Sequence, residues 1–437
     1  MFTTRPTLQG TFGMVSSTHW LAASSAMAVL EDGGNAFDAA VAAGFVLHVV
    51  EPHQCGPAGE VPILFATAGG APTLLCGQGP APAGATIDHY TDLGFDLVPG
   101  AGPLAAAVPG AFDAWMLLLR DHGTKTVREV LTYAIGYAEQ GHPAVHQLTD
   151  TIDRMRDVFD TEWTTSAAVY CPDGRSPRAG ELLRNPTLSA TWQRIIDEAE
   201  SVGGGREAQI DAARRTWSQG FVAEALAESA ARPTMDSSWR RHPGTLTADD
   251  LAAWSATYEE PVSHDWNGWT VCKPGPWSQG PVFLQQLALL PPVLPDAGPD
   301  YIHLLVEGAK LAFADREAWY GDAAEGSGRP RRRSQQRHVS GRRRRPVGQP
   351  GRGDPERWLA PEQSRDGVAR LPPRLPAPDD LAAARPAELA NTGPTAAYDT
   401  LAVPRTARRR TPHGLRHSRR RPAGPMGLPL LPRRRSP

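Results

Sequence analysis

The chain changes character at Asp322, and that change limits what it can fold into. Before it, apolar residues recur at helix and strand spacings. After it, 115 residues hold 26 Arg, 18 Pro, nine acidic residues and no Lys. Proline at that density removes backbone donors and clashes with helix geometry. The apolar periodicity needed to bury a face also disappears. A packed α/β core is therefore expected in 1–324. None is expected in 325–352 or 404–437, which read as disordered Arg-rich and Arg/Pro-rich segments. The net charge of −2 hides this split: 1–322 carries 19 basic and 38 acidic residues, and 323–437 the reverse imbalance.

The segment "GRPRRRSQQRHVSGRRRRPVG" (328–348) has nine Arg in 21 residues. A nucleic-acid arm would spend such charge on phosphates, but no aromatic or groove-reading motif accompanies it. A genuine solvated tail is a second reading. The third, preferred, is frame displacement of 325–352 and 404–437: a GC-rich gene read out of frame yields mostly Arg, Pro, Gly and Ala. A single intact reading frame encoding this tail would exclude that. Elsewhere the chain points to a soluble, cytoplasmic protein. Cys55, Cys76, Cys171 and Cys272 lack metal-type spacing and are few for 437 residues, which suits a reducing compartment. The first residues lack a charged start followed by an apolar stretch. No apolar run reaches the ~18 residues of a membrane span.

Within 1–322 the elements are legible. "THWLAASSAMAVLEDGGNAFDAAVAAGFVLHVVEP" reads as two helices, the first stopped at Gly33–Gly34. Asn35 is placed to cap the second, whose apolar residues on most sides predict deep burial. Asn35 and Asp38 are read as organisers of that junction, and His19, His48 and His53 as structural. "VPILFAT" and "TLLC" read as a hairpin. "VPGAFDAWMLLLRDHG" and "TKTVREVLTYAIGYAEQG" read as helices, with Thr124 capping the second. In "LTADDLAAW", Thr247 and Asp250 form a capping-box pattern. "DYIHLLVEGAKLAFADREAWYGD" is the last helix, with Asp315 and Arg316 expected to form a local ion pair.

Five stretches together resemble one family. "GMVSSTHWLAASSAMAVLEDGGNAFDAAVAAGFVLHVVEPHQCGPAGEVPILFA" is similar to the N-terminal segment of gamma-glutamyltransferases: a Gly-Met-Val start, a Gly-Gly-Asn-Ala-x-Asp-Ala-Ala-Val junction and a Val-Glu-Pro turn before a Gly-rich loop. "NPTLSATW" (185–192), "GTLTADDLAAW" (244–254), "KPGPWSQGPVFLQQL" (273–287) and "HLLVEGAKLAFADREAWYGD" (303–322) resemble later segments in the same order. The resemblance implies an N-terminal-nucleophile hydrolase, a four-layer αββα sandwich, here incomplete and mostly the large-subunit half. Such chains cut themselves before a Thr. The new N-terminal Thr hydroxyl attacks an amide, and its own α-amino group, near pKa ~8, serves as base. Water or an amino acid then accepts the acyl group. The resemblance implies a small gamma-glutamyl or related amide as substrate, no metal or organic cofactor, and no nucleic-acid or membrane partner. It leaves the oligomeric state open.

The sequence departs from the family pattern in two places. An Arg-Glu pair usually precedes an Ala-Pro, the Arg clamping the substrate α-carboxylate; here Gln78 and Gly79 stand there. A neutral amide cannot reproduce the bidentate charge-assisted pair that Arg makes. Gln78 is the candidate substrate-binding residue. Its environment and "EPHQCGPAGEVPILFA" look more like the gamma-glutamyltransferase-like branch, with a cephalosporin-acylase-like amidohydrolase as alternative. A nonenzymatic protein with a basic nucleic-acid-binding tail is the rival from another class. The candidate nucleophile is Thr400, in "AAYDTLAVPRTARRR", without the His and Asp that usually follow. The segment 353–403 is expected to be partly family-like, "SRDGVARLPP" and "GPTAAYDTLAV" carrying the likeness. Only 37 residues follow Thr400, so the oxyanion donors and second half of the sandwich are expected to be missing and the chain defective.

Overall fold

The computed structural model describes residues 8–291, 293–321 and the backbone of 401–404. Helices α1 (Trp20–Glu31) and α2 (Ala36–Val50) start the fold. The His19 ring Nδ1 caps α1 by accepting the Leu21 N–H at 3.1 Å. After α1 the chain reverses at Gly33, whose φ of 81° suits a residue without a side chain. Asn35 Oδ1 then accepts the N–H groups of Phe37 and Asp38, and Asp38 Oδ2 accepts the Asn35 N–H, closing the capping box. As its composition predicts, α2 is buried nearly all round.

Strands β1 (Val61–Phe65) and β2 (Thr73–Gly77) pair antiparallel, Val61 opposite Gly77, as the hairpin reading expects. The short α3 (Ile87–Asp92) leads to α4 (Ala111–His122) and α5 (Val127–Gln140). The cap of α5 is Thr126, not Thr124: the Thr126 hydroxyl and Glu129 carboxylate satisfy each other's backbone N–H groups. Thr124 has a tertiary task instead, as its hydroxyl donates to Asp38 at 2.8 Å.

Strand β3 (His142–Pro143) pairs with β4 (Leu182–Leu183). Between them α6 (His146–Arg154), α7 (Arg156–Thr161) and α8 (Thr164–Tyr170) enclose a small separate core around Leu148, Ile152 and Phe159. Then come α9 (Pro186–Ser201), α10 (Arg206–Gln219) and α11 (Phe221–Ala231), the β5–β6 hairpin (Thr234–Met235 with Arg241–His242) and α12 (Ala248–Ala253), capped as expected by Thr247 and Asp250. Helix α2 packs against α1, α4 and α5, while α9 and α10 close the layer. Phe45 and Trp192 are fully buried at its centre with their rings edge-on, 5.7 Å between centroids. Burial of an apolar side chain of this kind contributes roughly 1.5–3 kcal/mol.

The helical layer backs one sheet and a helix pair backs the other. Strand β7 (Thr257–Glu259) joins the first in the order β1-β2-β7, with α4 against β2. Two residues later the chain enters the second sheet through β8 (Val262–Trp266) and β9 (Trp269–Lys273). Helix α13 (Gly280–Leu289) packs on that sheet and α14 (Pro299–Trp319) packs on α13. Strand β10 (Leu401–Pro404) completes the order β10-β9-β8, Leu401 opposite Cys272. Helices, sheet, sheet, helices is the order that the αββα reading expects. Gly308 and Ala312 give α14 its buried side, whereas Ile302, Val306 and Phe313 are exposed. The expected Asp315–Arg316 pair does not form. Gln285 Nε2 donates to Asp315, and Arg316 turns to Glu317 and Gln279.

Candidate active site

The chain just beyond β2 is fixed by backbone rather than by charge. Gly79 lies so close to the next segment that a Cβ would stand 1.9 Å from the Val108 carbonyl oxygen. This closeness lets the Val108 N–H donate to the Pro80 carbonyl at 3.0 Å. Below it, the Gly110 and Ala111 N–H groups donate to the Gly59 carbonyl at 3.1 and 3.0 Å, docking the Gly-rich loop on the start of α4. Asp250 Oδ1 accepts the Ala83 N–H at 2.8 Å. Gln78 is therefore held on a rigid ribbon. It is half-buried, and its side-chain amide has no hydrogen-bond partner among the described residues. A free carboxamide there offers one acceptor and two donors but no charge.

Thr400 lies outside the described residues. The strand that starts at the next residue is described: Leu401, Ala402 and Val403 pair with Cys272, Val271 and Thr270. Strand β9 ends at Lys273, whose side chain is buried, with its ammonium 5.5 Å from the Phe283 ring centroid. The loop after it is tightly built. Ser278 Oγ donates to the Gly275 carbonyl and accepts the Gly280 N–H, both at 2.9 Å. Trp277 Nε1 donates to Glu259 Oε2 at 2.9 Å, tying this loop to the end of β7 in the other sheet. The sequence reading places neither Lys273 nor Trp277 in a site. Both sit in the family-like stretch "KPGPWSQGPVFLQQL", and the signal that could have marked Lys273 is a cation ending an apolar strand.

Burial shapes the ionisable groups near the Val-Glu-Pro turn. Glu51, on which the Thr18 hydroxyl donates, is raised above the usual carboxylate range, chiefly by burial. Burial, and then Glu51, push the Cys55 thiol up to about 12, too high for a thiolate nucleophile at neutral pH. His19, His48 and His142 are held down to about 4 by burial, with neighbouring imidazoles adding to the effect on His19 and His142. His53 is lowered for the same reason. His48 and His142 line a cavity of about 100 Å³ with Tyr170. No three His, Cys, Asp or Glu side chains are placed to hold a metal ion among the described residues. No described helix is long and apolar enough to cross a membrane.

Residues 22–343 match the family model described as gamma-glutamyltranspeptidase. The chain is 30% identical over 322 residues to the glutathione hydrolase-like YwrD proenzyme of Bacillus subtilis (strain 168), covering 72% of this chain and 56% of that protein. Its structure is similar to that of LmbA2991HD, with a TM-score of 0.72 and 73% identity over 74% of this chain and 56% of that one. It is also similar to cephalosporin acylase from Bacillus halodurans, with a TM-score of 0.58 and 27% identity over 69% and 53% of the two chains. The chain thus spans about half the length of the curated relatives it matches. Since the match runs through nearly all the described helices and both sheets, the chain belongs to the gamma-glutamyltranspeptidase family and has its N-terminal-nucleophile hydrolase fold.

Proposed function

We propose that the chain contributes the large-subunit portion of an enzyme that transfers or hydrolyses the acyl group of a small amide, with Thr400 as nucleophile. The observation that carries this is the family match over 22–343. The pairing of Leu401 with β9 supports the choice of Thr400. Cleavage of the Asp399–Thr400 bond frees the Thr α-amino group. That amine accepts the proton as the Thr hydroxyl oxygen bonds to the substrate carbonyl carbon. The tetrahedral intermediate collapses by breaking the C–N bond, and the leaving amine takes the proton. Water or an amine acceptor then releases the acyl group. Gln78 stands beside the acyl group and orients it by neutral hydrogen bonds.

Gln78 favours a second reading of the substrate, an uncharged acyl group of the kind an amidohydrolase takes, because a neutral amide and not an arginine occupies position 78. Both readings are tested on the purified chain. Mass spectrometry tests the expectation of a defective chain: a fragment beginning at Thr400, absent from Thr400→Ala, is the mark of a working nucleophile. Hydrolysis of a chromogenic gamma-glutamyl anilide should then be compared with that of an acyl anilide lacking the α-amino and carboxylate groups. Preference for the gamma-glutamyl compound would reject the neutral-acyl reading. A chain that stays intact and inactive on both would reject Thr400 as a working nucleophile in this polypeptide.

A further inference from the structure

The β5–β6 hairpin holds Trp239 at a φ of 60°, with its side chain 54% exposed. Left-handed backbone suits Gly, Asn or Asp, and a bulky residue there is an outlier. The turn does not need the indole. Asp236 Oδ1 accepts from the Ser238 N–H and hydroxyl at 2.7 and 2.5 Å, its Oδ2 lies 2.6 Å from His242 Nδ1, and the Trp239 N–H reaches the Asp236 carbonyl at 3.0 Å. A strained residue that is neither buried nor required by its turn points to work done by its side chain.

Beside the indole lies a cleft of about 40 Å³ walled by Trp239, Trp163, Met155, Val158 and Met235, with Arg154 at its edge. Trp163 is fixed, its Nε1 donating to the Met235 carbonyl at 3.0 Å. The cleft also touches Asp236, but that carboxylate is occupied by Ser238 and His242. Arg154 is exposed and has no ion-pair or hydrogen-bond partner among the described residues. Indole faces and thioethers take aromatic rings, and an unpaired guanidinium takes a carboxylate in bidentate fashion. We propose that this cleft binds a small aromatic carboxylate, its ring edge between Trp239 and the methionines and its anion on Arg154. The site is independent of the acyl-transfer reading.

Phenylacetate and its neutral amide are suitable probes for the full chain, read by saturation-transfer NMR and titration calorimetry. Phenylacetate should bind saturably and at least about tenfold more tightly than phenylacetamide, the difference that one charge-assisted hydrogen bond makes. Arg154→Gln should erase that preference. Trp239→Gly keeps the turn, since glycine accepts this φ, and should weaken both probes. Equal binding of acid and amide, unchanged binding by Trp239→Gly, or no saturable binding of either probe would each overturn the proposal.

Discussion

His48 offers the sharpest test of how burial governs this fold. It is 5% exposed in the last turn of α2, with no partner for Nδ1 among the described residues and its ring edge-on to Phe45. Burial lowers its pKa from 6.5 to about 4. The unfolded chain therefore binds the proton more readily across that window, and stability must rise with pH there. The stability is fully present above about pH 6.5 and lost as pH falls through 4. At one pKa unit per ~1.36 kcal/mol, the full loss below pH 4 is about 3 kcal/mol. At pH 5 the unfolded imidazole is nearly all protonated and the folded one about a tenth so, which leaves a loss of about 2 kcal/mol. His48→Met keeps an apolar side chain of similar length and cannot titrate. Urea denaturation of both proteins at pH 7 and pH 5 gives four stabilities. The drop from pH 7 to pH 5 should be about 2 kcal/mol smaller in the variant. His19 and His142 also titrate, but they are common to both proteins and cancel in the difference. Equal drops would refute the claim that buried His48 resists protonation.

Other positions give equally direct outcomes. Asp38→Ala removes the acceptor of four hydrogen bonds from Asn35, Thr124 and Lys125; orphaning those donors should cost about 3 kcal/mol or more in urea melts. Gly79→Ala drives a Cβ against the Val108 carbonyl and should destabilise by about 2 kcal/mol or more, whereas Gly136→Ala, with open space around it, should be neutral or stabilising in the same melts. Trp239→Gly relieves a left-handed backbone and should raise stability by about 1 kcal/mol, a gain that a lower thermal midpoint would contradict.

What could be read from the sequence was local. The Asn35–Asp38 and Thr247–Asp250 capping boxes span three residues each, so side chain and backbone are neighbours by chain geometry alone. The β1–β2 hairpin likewise needs only a short turn. The sequence points to Thr124 as the cap because its true partner, Asp38, stands 86 positions earlier; with that hydroxyl taken, capping passes to Thr126. The pairing of Leu74 with Glu259 is more remote still, the Trp277–Glu259 bond crosses from one sheet to the other, and no periodicity announces either. Arg316 has acidic neighbours on both sides, and the choice of Glu317 depends on Gln285 having claimed Asp315. The family likeness located Gln78 through its neighbours, while the unfilled amide and the 1.9 Å approach at Gly79 emerge only from packing.

The carboxylate of Asp38 has a consequence for how this protein can change. Asn35, Thr124 and Lys125 come from two distant stretches and meet on its two oxygens. Substitutions among these positions should not add, because the first one made removes most of what the others could lose. A lineage that loses Asp38 gains freedom at Thr124, and one that keeps it stays bound there. Drift at this corner of the fold proceeds by joint replacement, so variation at one position carries information about the other.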